Sequence, residues 1–425
     1  MDRIDNYDLI VAGSGPSGIA SALYAAGNGI RVLLIEKEGF LGGMSTGGMA
    51  GVWCGTASSG IFKEIVQKLS VSVPLYGHKI YDCEELKEFY REKVTGIGLD
   101  ILLYAFVCDV EMQENCIKGI TVCTKKGMRR FSSRLFIDAT GDGDISAMAG
   151  VDYHKGRESD ESMQPATLFL VLGGVDAHRE DVFLWKKNQD IKVKMRQAVK
   201  NGEVPLPAEA INIMPGKIEG TALINMTHCI MADGTNNEGL TKAELECRAQ
   251  IPPIIRFLRQ NAPGYENCYV LKTGSMIGIR ETRHLHGRYC LTHDDLISGR
   301  VFDDWVVTGA WYPFDIHSLK GSGQDPSVPG FSVKPYTIPY GCFISEKVSN
   351  LLFTGRCISG THLAHSSFRM MPVCFAMGQA TGTAAALCIK NNVLPDDIDI
   401  GLLQRTLREQ GVDAPDVAAG LAMKL

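Results

Sequence analysis

An α/β fold is what this sequence predicts: one unit of alternating strands and helices, interrupted by an inserted α+β segment. Three observations carry the prediction. The opening stretch YDLIVAGSGPSGIASALYAAGNGIRVLLIEKEG runs from an apolar segment through a glycine turn and helical spacing to a second apolar segment, the order of strand, helix and strand. Near the other end, Asn350–Thr354 is a short apolar run closed by Gly355 and followed by a long, small-residue helix from about Pro372 to Lys390. Between them, about Asp152 to Lys334, the character is mixed and no second glycine-rich strand-to-helix turn occurs. Discontinuous pieces, 1–150 and 335–425, are therefore expected to form one domain, with 151–334 inserted as a covering domain. The turn formers of GSGQDPSVPG (Gly321–Gly330) are expected to make a hinge near that boundary.

Each element of the first unit has a chemical reason. Asp8–Ala12 reads as a strand that stops at Gly13, Ser17–Asn28 as a helix, and Arg31–Ile35 as a second strand ending at Glu36. Gly13, Gly15 and Gly18 stand as G-x-G-x-x-G at the turn, with Ser14, Pro16 and Ser17 between them. The first glycine permits the turn, the second lets a pyrophosphate approach the backbone, and the third lets helix pack on strand. Unpaired amides and the positive end of the helix then face the phosphates. Glu36, 18 residues after Gly18, is placed to accept hydrogen bonds from a ribose 2′-OH, and its charge argues against a 2′-phosphate. The expectation is a dinucleotide site.

Directly after Glu36 and Lys37 comes a second glycine-rich loop, EGFLGGMSTGGMAG. A nicotinamide dinucleotide has no use for it, whereas FAD does, because its flavin half runs on past the pyrophosphate. Gly42, Gly43 and Met44 would bring backbone to the diphosphate and ribityl chain, and Ser45 and Thr46 would offer hydroxyls to the flavin.

Further blocks complete a resemblance. With LLYAFVCDVEMQENCIKGITV (Leu102–Val122), RLFIDATGDGDISAMAGV (Arg134–Val151) and NLLFTGRCISGTHLAHSSFRMMPVCFAMGQATGTAAAL (Asn350–Leu387), the chain resembles FAD-dependent oxidoreductases of the glutathione reductase type, and more closely the succinate dehydrogenase and fumarate reductase flavoproteins. The resemblance spans nearly the whole chain. It implies a Rossmann-like FAD-binding domain with an inserted α+β substrate domain, and FAD as cofactor. It also implies a backbone contact from Val107 to the adenine, and Ala139, Thr140, Gly141 and Gly355 close to the FAD. In many relatives of the wider fold an acid follows the glycine at Gly355 to hold the ribityl chain; here Arg356 stands there. Pro372 and Val373 would open the helix whose positive end meets the flavin.

A dense polar collar, His362, His365, Ser366, Ser367 and Arg369, precedes that helix. Arginine grips a carboxylate or enolate through a fork of donors, and histidine suits proton transfer near neutrality; each histidine is equally a candidate for a satisfied structural group. In FDIHS, Asp315 and His317 lie two apart, so an extended backbone points both to one face. In GIRETRHLHGR, helical spacing would put Arg280, Arg283 and His284 on one face, read as an ion-pair network with Glu281 that ties the domains together.

Composition bounds the partners. A net charge of −5, with 45% hydrophobic and 21% charged residues, argues against nucleic acid. The N-terminus lacks a signal-peptide pattern, and the best apolar stretch, Val373–Ile389, is broken by Gln379; neither secretion nor a membrane span is expected. The 13 cysteines contain no C-x-x-C, which fits reduced thiols in a cytoplasm and gives no reason to expect a metal site. The leading expectation is hydride transfer between flavin N5 and a carbon of a small polar substrate, with O2 or a redox partner as the other electron carrier. The alternatives are an O2-using monooxygenase or halogenase, whose Trp-x-Trp-x-Ile-Pro signature is absent, and a binder that uses FAD structurally. Oligomeric state is not readable.

Overall fold

The computed structural model describes residues 5–73, 78–179, 183, 189–207, 211–319, 325, 328, 330 and 332–422. The proposed hinge at 321–330 lies mostly outside the described residues.

The first strand, Asp5–Ala12, is central in a seven-stranded sheet. Its Leu9, Ile10 and Val11 are fully buried, the continuous apolar run of a strand covered on both faces. Val32–Ile35 pairs parallel on one side, with Asp100–Leu102 beyond it. Gly127–Asp138 pairs parallel on the other side. That long strand then serves two neighbours. Its C-terminal half pairs parallel with Leu351–Phe353. Its N-terminal half turns into an antiparallel meander with Cys116–Thr124 and Phe106–Gln113.

The register brings four strand ends to one edge, since Ala12 lies opposite Ile35 and Asp138, and Asp138 opposite Phe353. Gly13, Glu36, Ala139 and Gly355 therefore emerge side by side, at the carboxyl edge where ligands of open α/β sheets bind.

Two helices meet over this sheet. Pro16–Gly27 starts at the glycine turn, and Met371–Asn391 runs against it. Gly378 and Gly382 face the first helix: a Cβ on the former would come within 2.0 Å of Ser17 O, and one on the latter within 2.2 Å of Ser21 O. Ser21 Oγ and Thr381 Oγ1 share a hydrogen bond at that contact, 3.0 Å. Met371–Asn391 is long and apolar enough to cross a membrane, but it lies wholly buried inside the protein.

A second apolar core, from Ala166 to Ile277, sits apart from the first. It lies under a four-stranded antiparallel sheet ordered Ile213–Pro215, Ala222–Ile224, Leu170–Gly173, Tyr269–Thr273, and under the long helix Asn237–Asn261. Leu285, Leu291, Phe302, Trp305 and Val307 belong to the first core instead. The GIRETRHLHGR stretch is extended rather than helical: Arg283–Leu285 is a strand paired with Tyr153–Lys155.

Candidate functional site

The glycine turn has the local geometry its three positions require. Gly13 adopts φ +92°, and a Cβ there would meet Ala139 O at 2.3 Å. Gly18 packs so closely that its Cβ would lie 1.9 Å from Gly13 O. Gly15 differs: a Cβ there would find nothing within 4 Å, because it borders a cavity of about 540 Å³, within the range of cofactor pockets. The second glycine loop docks on the first. Gly42 N donates to Ser14 O (2.8 Å), and Gly42 takes φ +99°.

Of the residues singled out in the sequence, Gly13, Gly15, Pro16 and Ser17 line this cavity, as do Glu36, Lys37, Gly43 and Met44. Val107, Ala139, Thr140, Gly141, Gly355, Arg356 and Arg369 line it from the other side. Leu240, Thr241 and Ile277 of the middle segment cover it. Glu36 is almost buried. Its Oε2 accepts from Ser14 N (2.7 Å) and Ser14 Oγ (2.6 Å), and its Oε1 accepts from Glu38 N (2.9 Å), which leaves acceptor capacity for a ligand hydroxyl. Ser14 thus serves by holding Glu36.

Several other expectations shift. Ser45 Oγ donates to Gly42 O (2.7 Å) and Thr46 Oγ1 to Leu41 O (2.5 Å), so both hydroxyls shape the loop rather than face the cavity. Met371 and Cys374 present the long helix to the cavity, while Pro372 and Val373 point into protein. A three-residue spacing keeps one helical face, and the exposed face is that one. Burial pushes the Cys374 thiol up to about 12.

Arg356 lines the cavity with its guanidinium held by hydrogen bonds. It donates to Asp142 Oδ1 (2.5 Å) and Thr282 Oγ1 (3.1 Å), and Thr282 Oγ1 donates to Asp142 Oδ1 (2.7 Å). Asp142, which also lines the cavity, was not singled out from the sequence. The signal lay in the neighbouring GDGD of residues 141–144. Arg283 bonds Asp144 Oδ1 and Asp142 O, both at 2.8 Å, whereas Arg288 pairs with Asp396 and Glu281 pairs with histidines.

Two polar groupings divide the catalytic candidates. In the first, Arg369 donates to Asp315 Oδ2 (2.9 Å) and Asp315 O (3.1 Å). His317 Nε2 lies 3.7 Å from Asp315 Oδ1. Behind them are His228, its ring 5.4 Å from that of His317, and Arg280, which donates to Pro165 O and Thr167 Oγ1 at 2.5 Å. Asp315 and His317 keep 31% and 29% of their side-chain surface open. Burial raises the Asp315 carboxyl, but Arg369, then His317 and Arg280, more than offset this and hold it below the ordinary range. Burial, then the charge of Arg280, holds His317 well below the usual imidazole value. The same two causes push His228 down to about 4. His228 and Arg280 carry no sequence signal that separates them from core residues.

The second grouping is closed. Glu281 is fully buried, and its Oε1 lies 2.6 Å from His362 Nδ1, 2.9 Å from His284 Nε2 and 3.8 Å from His365 Nδ1. Glu281 Oε2 accepts from Gln164 N (3.1 Å). Burial raises this carboxyl, and the hydrogen bonds from His284 and His362 outweigh that and hold it well below its usual range. His362 and His365 sit on the short helix His362–Phe368, capped by Thr361, and both turn toward Glu281 rather than into the cavity.

Comparison with known proteins agrees with this architecture. A thiamine thiazole synthase of Methanococcus aeolicus is 26% identical over 152 residues, 33% of this chain and 57% of that protein. The fumarate reductase (cytochrome) of Shewanella frigidimarina is 42% identical over 52 residues, 12% of this chain and 9% of that protein, so the likeness to that group is partial. The chain spans about half the length of the first curated relatives it matches. A geranylgeranyl bacteriochlorophyll reductase-like structure from Thermoplasma acidophilum shares the fold at TM-score 0.50 and 14% identity, over 99% of this chain and 88% of that one. The profile of the FAD dependent oxidoreductase family matches residues 8–407, and the chain belongs to that family and is an FAD-using enzyme.

Proposed function

We propose that this enzyme transfers a hydride between FAD and a carbon of a small carboxylate substrate, held in the open space at Arg369, Asp315 and His317. The observation that carries the reading is the contrast between the two polar groupings. Asp315 and His317 keep about a third of their surface open beside a guanidinium that lines the cavity, whereas His362 and His365 are closed. Two arginines face one carboxylate there, so the space carries excess positive charge and suits an anion.

FAD, when bound, supplies the hydride chemistry. The chain's own residues do the rest. Gly15 lets the diphosphate reach the backbone at the start of the first helix, and Glu36 accepts from the ribose. Arg369 grips the substrate carboxylate and fixes its carbon against the cavity. The charge of a bound anion counters that of Arg280 and Arg369, so His317 takes up a proton and delivers it to the atom bonded to the hydride-accepting carbon, the second carbon of a C=C bond or the oxygen of a C=O. In the oxidative direction it removes that proton. The inserted substrate unit is 151–334, a reading that the separate second core at Ala166–Ile277 supports. The missing second dinucleotide motif leaves O2 or a redox partner as electron carrier, and thirteen free cysteines fit a reducing cytoplasm.

The test is anaerobic absorbance of the FAD-loaded protein against a panel of 2-hydroxy and unsaturated carboxylic acids. One acid bleaches the flavin with release of a proton, or reoxidises it after chemical reduction with uptake of one. Arg369→Lys lowers kcat/KM for that acid by about two orders of magnitude, as when a donor to a developing anion is removed. If turnover instead requires O2 and yields a hydroxylated or halogenated product, the hydride reading is overturned.

A further inference from the structure

We propose that Glu281, His284 and His365 form a binding site for one divalent first-row transition ion, of the zinc class, with His362 holding the Glu281 carboxylate from outside at 2.6 Å. Three imidazole nitrogens converge on a single carboxylate oxygen at 2.6, 2.9 and 3.8 Å. Tetrahedral coordination at 2.0–2.2 Å separates ligand atoms by about 3.3 Å, a value these distances bracket. Glu281, His284 and His365 bring their ligand atoms within 4.8 Å of one another, all from buried side chains.

An independent observation points the same way. His365 Nδ1 is fully buried, aims at Glu281 Oε1 from beyond hydrogen-bond range, and has no partner. A buried imidazole nitrogen left without a partner is costly; an ion between the two atoms satisfies it.

The sequence arrangement supports a built site. Glu281 and His284 are three residues apart, and so are His362 and His365, the second pair on one turn of helix. Gln164 N orients the free oxygen of Glu281 (3.1 Å), and the His154 ring stacks on His284 at 4.7 Å and 4°, support of the kind that surrounds metal ligands. Two neutral imidazoles and one carboxylate favour zinc-like ions over calcium or magnesium.

The three ligands are buried and turned away from the cavity, which marks a structural rather than a catalytic ion. Its work is mechanical: it pins the short helix His362–Phe368, which leads straight into Arg369, to the extended segment that carries Glu281 and His284. The inference stands apart from the identity of the substrate.

The experiment uses the full-length FAD-loaded protein, purified without chelator and dialysed into metal-free buffer. Elemental analysis is expected to find about one zinc-class ion per chain. Chelator-stripped protein, titrated with Co2+ as a probe, should develop visible ligand-field bands to the red of the flavin, and Zn2+ should displace them and raise the melting temperature. His365→Ala and Glu281→Gln should each reduce bound metal more than tenfold while the flavin spectrum persists. Should either fail to fold, His365→Cys keeps a ligand and should add a sulfur-to-cobalt charge-transfer band. His317→Ala, in the other grouping, should retain the ion. Absence of retained metal together with no spectral or thermal response to Co2+ or Zn2+ overturns the site. So does metal binding that the Glu281 and His365 variants leave unchanged.

Discussion

Gly15 and Gly18 are three residues apart in one motif, yet they stand against different things. Gly15 has φ −58°, a value any residue adopts, and its missing Cβ opens onto empty space. Gly15→Ala is therefore expected to leave the apoprotein's unfolding midpoint unchanged while raising the Kd for FAD about tenfold or more, the cost of blocking backbone approach to the diphosphate. Gly18→Ala forces a Cβ onto Gly13 O and should lower apoprotein stability by about 1–3 kcal/mol. Urea unfolding of both apoproteins with fluorescence titration of FAD separates the two roles; equal loss of affinity at unchanged stability in both would refute the distinction. These residues were legible because a glycine's purpose follows from its place in the turn. Hydroxyls were less so. Ser45 and Thr46 have the right chemistry for a ligand, but sequence does not say that Gly42 O and Leu41 O reach them first.

At the level of elements, the strand-helix-strand opening and the late strand with its long helix could be read directly, since period and turn residues mark them. What each helix face touches could not. Gly378 and Gly382 read equally well as packing on a sheet or on a helix, and only the fold shows Ser17 O and Ser21 O beneath them. Their positions along the first helix differ in consequence. Ser17 belongs to the turn that borders the cavity, whereas Ser21 lies one turn further in. Either alanine substitution overpacks the contact, at about 1–3 kcal/mol. Gly378→Ala is expected to weaken FAD binding as well, because the displaced backbone is that of Ser17. Gly382→Ala should lower the unfolding midpoint with FAD affinity unchanged. Calorimetric FAD titration of the two variants decides, and a loss of affinity in Gly382→Ala alone would contradict the packing order. The polar collar was half legible for the same reason. Its richness is visible in the sequence, but that His362 and His365 turn to Glu281 while Arg369 turns to Asp315 depends on a segment about eighty residues upstream for one and about fifty for the other.

On the scale of the whole molecule, two apolar cores meet along a polar seam. Lys155 bonds Asp233 at 2.8 Å, Arg369 reaches Asp315, and His228 from the second core faces His317 from the first. Such a seam is invisible to local pattern, because each member looks like an ordinary surface or core residue until the chain closes. It also gives the molecule a directional response to acid. His228 is nearly buried, with Nδ1 3.0 Å from Met226 O, and faces the charge of Arg280, with His317, Asp315 and Arg369 beyond. Burial first, then Arg280, pushes it down to about 4, against an unfolded value near 6.5. Between those two values the unfolded chain binds more protons than the folded one, so stability rises with pH through the window and is complete above about 6.5. His317, displaced the same way, adds to the same slope, whereas the lowered carboxyl of Asp315 contributes only in stronger acid, below the ordinary carboxylate range. Going from pH 7 to pH 5 should therefore cost about 2 kcal/mol through His228 alone. Urea midpoints measured at both pH values, for the parent and for His228→Gln, test this. Whatever the variant's absolute stability at each pH, the difference between its two midpoints should shrink. An undiminished difference would mean that His228 is already charged in the folded protein and that the seam tolerates the added positive charge.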